Sequence, residues 1–171
     1  MSAWQDIDKT SSERVRALDA WWREKAADRR LPDRTDLDPT EIPQLLPYIL
    51  LSEVVPPFRV RYRLLGTEVV AVTGMDFTGC YLDELIPPGD DEEAWMENYH
   101  LCAESMRPVY GLSTVRTLNG GTFSYEFGIW PLTKGTNAVS QFIGIEDYGP
   151  HRTRVRALLD QIKQWRRAKH E

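Results

Sequence analysis

Few side chains in this 171-residue chain could do chemistry beyond packing: three histidines, two cysteines and one run of acids. His100 lies in a segment with helical periodicity, and Glu97 and Glu104 stand three and four residues away, the spacing of ordinary ion-paired helix neighbours. His151 and His170 lie in or near a basic tail and read as solvated. Cys80 and Cys102 make neither a disulfide framework nor a four-ligand zinc site. The acid run PGDDEE, 88–93, suggests a divalent metal at first sight. Its Asp90 and Asp91 fall where a helix cap belongs, however, and Glu92 and Glu93 fall in the first turn, where acids favour the helix dipole. There is no Gly-x-Ser-x-Gly turn, no glycine-rich phosphate loop and no metal-ligand spacing. The expectation is a protein that is not an enzyme. What stands out is an aromatic set, Tyr62, Phe77, Trp95, Tyr99, Tyr110, Phe123, Tyr125 and Phe127, in which any buried tyrosine hydroxyl needs a partner.

The elements that must position these groups follow from periodicity. Thr10 and Glu13 have capping-box spacing and open a helix to about Arg30, with Val15, Leu18, Trp22 and Ala26 on one face. Asp38-Pro39 opens a short helical turn. Five strands are predicted: 48–55, 58–66, 110–117, 122–132 and 139–148. In the second, Phe58, Val60, Tyr62 and Leu64 alternate with arginines; in the fourth, Phe123, Tyr125, Phe127 and Ile129 alternate with Ser124, Glu126, Gly128 and Trp130. Asn119-Gly120-Gly121 reads as a hairpin turn. Helical segments at 67–73, 81–85 and 92–106 fill the long crossover, the last with a stripe of Trp95, Tyr99, Cys102 and Met106. A final helix, about 152–169, carries Val155, Leu158, Ile162 and Trp165 at heptad-like spacing. The expected fold is α+β: a five-stranded antiparallel sheet with helices on one face, flanked by terminal helices. Gly66, Gly74 and Gly79 are expected to end a strand, end a helix in the left-handed conformation and re-aim the chain, shaping one wall of a cavity.

Composition narrows the function class. The net charge of −5 argues against a general nucleic-acid binder. Residues 151–171 nevertheless hold seven Lys/Arg and two acids, a basic helix on an acidic body. The longest apolar run, around 45–51, is too short to cross a bilayer, and the N-terminus lacks a signal-peptide core, so a cytoplasmic location and no membrane are expected.

The run RYRLLGTEVVAVTGMDFTGCYLDEL, with NGGTFSYEF and QFIGIEDY, resembles a PAS domain. LPDRTDLDPTEIPQLLPYILLSEVV ahead of RYRLLGTEV is similar to a family of single-PAS proteins found in proteobacteria. The resemblance implies three parts: a helix at 1–30, a PAS domain at 31–148 and a basic helix at 149–171. It implies a sensory or signalling module that binds a small molecule, a protein partner such as a bacterial signalling protein, or both. It also implies a homodimer joined through the terminal-helix stripes at 15–26 and 155–165. Flavin-binding relatives carry Asn-Cys-Arg-Phe-Leu-Gln with its cysteine three residues after a glycine; here Cys80 follows Gly79 directly and Leu82 takes the third place, which disfavours flavin and leaves Cys80 as a small buried residue. Haem-binding relatives use a histidine on the long helix, which makes His100 the candidate ligand of a haem-based gas or redox sensor. His100 sits late in the helix and off the aromatic stripe, which favours the ordinary ion-paired reading. The expected ligand lining is Tyr62, Tyr99, Cys102, Leu112, Tyr125 and Phe127, a mostly apolar set with a few polar points. The alternative is that these side chains fill the core and the protein is a ligand-free adaptor.

Overall fold

The computed structural model describes residues 1–86, 90–116 and 122–149. The predicted final helix with Leu158 and Ile162, the Asn119-Gly120-Gly121 turn and the start of the acid run lie outside these residues. The elements are β1 (Ser2–Trp4), α1 (Glu13–Ala26), β2 (Ile49–Val55), β3 (Arg59–Leu65), α2 (Thr67–Thr73), α3 (Leu82–Leu85), α4 (Asp90–Ser105), β4 (Val109–Arg116), β5 (Thr122–Leu132) and β6 (Gln141–Asp147). The strands form one antiparallel sheet in the order β1-β4-β5-β6-β2-β3. The sixth strand, β1, is three residues pairing Ser2 with Leu112 and Trp4 with Tyr110, too short to show a period.

Both faces of the sheet are covered, and alternation sorts side chains between two cores. Tyr125, Phe127 and Ile129 of β5 point into the inner core beneath α2, α3 and α4. Trp130 and Leu132 point into an outer core built with α1 and the chain around residues 31–49. Val15, Leu18, Trp21 and Trp22 of α1 are buried there. Burying each such side chain contributes roughly 1.5–3 kcal/mol. The stripe expected to dimerise is therefore covered by this chain's own sheet, and that part of the dimer expectation is corrected.

Polar contacts lock α1 in place. The helix caps on Ser12, whose Oγ accepts from the Val15 N–H (3.1 Å), and not on Thr10 as expected. Thr10 Oγ1 instead accepts from Trp4 Nε1 (3.2 Å). Glu126 of β5 accepts from the backbone N–H groups of Ser11 and Ser12, satisfying donors at the helix start. Asp147 of β6 accepts from Ser12 Oγ (2.6 Å) and pairs with Arg14 (2.7 Å). Midway along the helix, buried Asp19 accepts from Trp130 Nε1 (3.0 Å), Arg23 Nε (2.6 Å) and the Tyr110 hydroxyl. The helix stops at Ala26, short of Arg30, because Ala27 turns to φ 49° and sends Leu31 into the outer core. At the end of α4, Met106 likewise turns to φ 53° and packs against the outer core, leaving the predicted Trp95–Tyr99–Cys102 stripe.

One register detail changes a strand face. Leu51 pairs with Leu64, but Ser52 pairs with Tyr62, so Arg63 is an extra residue on β3. The bulge turns Leu64 outward, 48% exposed, where the alternation placed it inside. The roof over the inner core is held by glycine. Gly66 passes so close to the chain at Pro47 that a Cβ would lie 2.2 Å from the Pro47 carbonyl oxygen. Gly74 caps α2 at φ 72°, its N–H donating to the Val70 carbonyl (2.7 Å). Gly79, at φ 87°, donates to the Tyr62 carbonyl (2.8 Å) and starts the loop along β3.

Candidate functional site

The inner face gathers polar groups in an otherwise apolar core. Tyr62 on β3 is fixed by its backbone, which accepts from Gly79 and donates to the Cys80 carbonyl (3.0 Å). Its ring meets Phe77 edge-on at 4.9 Å. Tyr99 on α4 meets Phe142 of β6 at 5.0 Å, and Trp95 tilts against Phe127 at 4.6 Å. The hydroxyls of Tyr62, Tyr99 and Ser52 are hydrogen-bonding neighbours. At the far end of β6, the Tyr148 hydroxyl donates to Glu146 Oε2, and the rings of Tyr125 and Tyr148 lie 5.2 Å apart.

Five of the six expected lining residues, Tyr62, Tyr99, Cys102, Tyr125 and Phe127, fall in this one cluster. Leu112 does not. On β4, Val109 belongs to the inner core and Tyr110 to the outer, and Leu112 follows Tyr110 to the outer side, where it is 40% exposed. Sequence reasoning missed Ser52, Glu146 and Tyr148. The signal for the last two was present: Phe142, Gly144, Glu146 and Tyr148 share one side of a period-two strand.

Electrostatics mark Glu146 as unusual. It stays partly accessible, yet burial raises its carboxyl pKa to about 7, opposed by the hydrogen bond from Tyr148. Burial, with neighbouring Tyr99 and Glu146, pushes Tyr62 well up; burial, with Glu146 and Tyr125, does the same for Tyr148. Tyr99 is raised chiefly by burial. These phenols are therefore neutral donors throughout the physiological range. Burial also raises Cys102 well above a normal thiol, against a backbone hydrogen bond from Val109, so it is an inert thiol donating to the Ile129 carbonyl (3.5 Å). The set offers neutral hydroxyl donors near one carboxyl. Among the described residues it contains no nucleophile paired with a base.

The floor tolerates one added methyl group. Gly144 sits between Leu50 and Ile129 on neighbouring strands. The nearest atoms to a Cβ there would be Gly128 O (3.4 Å) and Leu50 atoms (3.8 Å), from flanking strands, at ordinary contact distance. His100, the haem-ligand candidate, stacks its ring on Phe58 at 3.8 Å. Outside, Arg59 pairs with Asp83 (2.7 Å) and covers the Tyr81 ring at 3.7 Å, fastening α3 to β3.

An open groove of about 590 Å³ lies elsewhere, between Arg29, Arg30, Asp33, Met106 and Thr136. Two of its charged groups are engaged. Asp33 accepts from Thr35, Thr133 and the Gly135 N–H, which lower its pKa to about 2, and Arg29 pairs with Asp36 (2.8 Å). Among the described residues no three His, Cys, Asp or Glu side chains could hold a metal ion, and no helix is long and apolar enough to cross a membrane.

A comparison with curated proteins finds no match. Solved structures give likenesses in fold. A light-oxygen-voltage domain studied with a flavin analogue matches at 16% identity and TM-score 0.50, over 73% of this chain and 93% of that one. An RNA-binding light-oxygen-voltage receptor matches at 21% identity and TM-score 0.48, over 82% of this chain; this chain spans only 42% of that receptor. A fungal light-oxygen-voltage photoreceptor domain matches at 16% identity and TM-score 0.47, over 84% of this chain and 99% of that one. A family profile described as PAS domain matches residues 10–146. The six-stranded sheet, its helical crossover and a profile match spanning α1 through β6 agree, and the chain belongs to the PAS domain family.

Proposed function

We propose that this protein is a non-catalytic sensory module that binds a small molecule on the inner face of its sheet and signals, as a homodimer, to a protein partner. The observation that carries the reading is the convergence of Tyr62, Tyr99, Ser52, Tyr148 and Glu146 on one face. A few polar groups converging in an otherwise apolar setting are what small-molecule sites use to orient a ligand. Occupancy shifts an equilibrium between two arrangements only if the ligand binds them unequally. Dimerisation falls to the 149–171 segment, because α1 is spent on the sheet. The setting is a bacterial cytoplasm, as for the single-PAS proteins the sequence resembles.

A thermal-shift screen of the full chain against a metabolite collection tests the reading. A compound that raises Tm, with the rise lost in Tyr62→Phe or Glu146→Gln, supports it. The second reading is a ligand-free adaptor, favoured by the ring pairs Tyr62–Phe77, Trp95–Phe127 and Tyr99–Phe142, which fill much of the inner core. It is the better account if no compound acts and only surface substitutions change signalling. The haem-based reading gains nothing from His100, whose ring is engaged with Phe58.

A further inference from the structure

The open groove of about 590 Å³ lies on the outer-core side of the molecule, where Leu31 and Met106 line it. Its walls are fixed by hydrogen bonds. After α1, Ala27 reverses the chain at φ 49°, and residues 32–34 run beside the turn between β5 and β6. There the Thr133 N–H donates to the Pro32 carbonyl (3.1 Å) and the Arg34 N–H to the Thr133 carbonyl (2.9 Å). Asp33 accepts from Thr133 Oγ1 (3.2 Å) and the Gly135 N–H (2.6 Å), which ties the two segments together.

Arg30 is the charged group of the lining with least to do. Arg29 donates to the Lys25 carbonyl (2.7 Å) and pairs with Asp36 (2.8 Å), the ordinary work of a cation at a helix end. The Arg30 guanidinium reaches the Ser105 carbonyl at the end of α4, at a long 3.4 Å. A guanidinium carries five donors, so this contact leaves most of the fork unused, and among the described residues Arg30 forms no ion pair. Asn137 lies exposed on the same lining, and among the described residues its amide makes no hydrogen bond.

The surrounding charge favours one sign of ligand. Arg34, Arg107 and Lys134 each stand one residue from a lining position and form no ion pair among the described residues. Asp28 is the one acid so placed. The neighbourhood is thus positive on a chain whose net charge is −5, which repels a cation and draws in an anion. A guanidinium fork takes a carboxylate or a phosphate through two parallel bonds. The volume falls within the roughly 300–1,000 Å³ usual for small-molecule sites.

We propose that this groove is a second binding site, separate from the inner face, for a small molecule that bears a carboxylate or phosphate group. Arg30 holds the anion, Asn137 adds a neutral donor, and the body of the molecule lies against Met106. The site does not depend on the inner-face reading. Loss of a charge-assisted pair of this kind weakens binding by about tenfold to a hundredfold.

The test uses three probes of similar size: phenyl phosphate, sodium benzoate and benzyl alcohol. Each is titrated at pH 8 and constant ionic strength into the full-length isotope-labelled chain, and amide chemical shifts are followed in wild type, Arg30→Gln and Lys134→Gln. At least one anion is expected to bind wild type about tenfold or more tighter than benzyl alcohol, with shifts centred on Leu31, Gly135 and Asn137; the tighter of the two anions names the group. Arg30→Gln is expected to reduce that anion to the level of the alcohol, whereas Lys134→Gln, a flanking charge, should cost less than about fivefold. Equal binding of benzyl alcohol, an anion preference that survives Arg30→Gln, or an equal loss in Lys134→Gln overturns the proposal, the last because it would reduce the effect to general surface charge. No binding of either anion to wild type overturns it too. Shifts centred instead on Ser52, Tyr62 and Tyr99 also overturn the groove site while supporting a ligand at the inner face.

Discussion

Replacing Glu146 with Gln should stabilise the ligand-free protein, and the gain should depend on pH in a defined direction. Burial raises the folded-state pKa of Glu146 to about 7 from an ordinary 4.5. A raised carboxyl binds its proton more tightly folded than unfolded. Its contribution is therefore intact below pH 4.5, declines as pH rises toward 7, and is flat at its lowest above that. The loss is about 3 kcal/mol at pH 8, at 1.36 kcal/mol per pKa unit. Glutamine keeps the shape and can still accept from Tyr148 while removing the charge. Among the described residues, the neighbouring phenols of Tyr148, Tyr62 and Tyr99 stay neutral across this window. Asp147 is engaged with Arg14 and Ser12. The assay is urea unfolding of both proteins from pH 4.5 to 8. The stability difference should grow by about 3 kcal/mol in favour of Glu146→Gln, equivalent to roughly 6–12 °C in Tm at pH 8. A difference that stays constant across the range would refute the reasoning, because it would mean that Glu146 ionises at no cost.

Other substitutions test the positioning of the site. Asp19→Ala strands the Tyr110 hydroxyl and Trp130 Nε1 and should destabilise by about 3 kcal/mol in urea unfolding. Gly66→Ala drives a methyl group into the Pro47 carbonyl at 2.2 Å and should cost at least about 2 kcal/mol, whereas Gly144→Ala, with 3.4 Å of clearance, should cost about 1 kcal/mol or less. Leu18→Ala should cost about 2–5 kcal/mol without changing the sedimentation coefficient, since Leu18 is buried against the chain's own sheet. Leu158→Asp with Ile162→Asp should instead convert a dimer to a monomer in sedimentation, if the 149–171 segment joins the protomers.

Much of the fold was legible in local signals. Gly66, Gly74 and Gly79 announced a strand end, a left-handed helix cap and a turn, because each conformation or close approach excludes a side chain. Tyr62, Tyr99, Cys102, Tyr125 and Phe127 could be placed together because their period assigns each to one face of its element. What failed had a common cause: periodicity reports that a face is covered, not what covers it. The apolar stripe of α1 reads equally well as a dimer seam or as a helix docked on a sheet. Both sides of β6 are covered: Ile143 and Ile145 face the outer core with α1, and the side with Phe142 and Tyr148 faces the inner core. When both sides of a sheet are covered, alternation separates two interiors and not inside from outside. The bulge at Arg63 was invisible for a different reason: an extra residue is a property of two paired strands and leaves no mark in one of them.

The central claim is that the inner face holds a small molecule. Its most direct test is the native mass spectrum of the full chain purified rapidly from the cells that make it, set against the denatured mass. The account predicts a dimer carrying extra mass that departs on denaturation, with the same adduct reduced or absent in Glu146→Gln. A dimer at the bare polypeptide mass would contradict it and make the ligand-free adaptor the account to pursue.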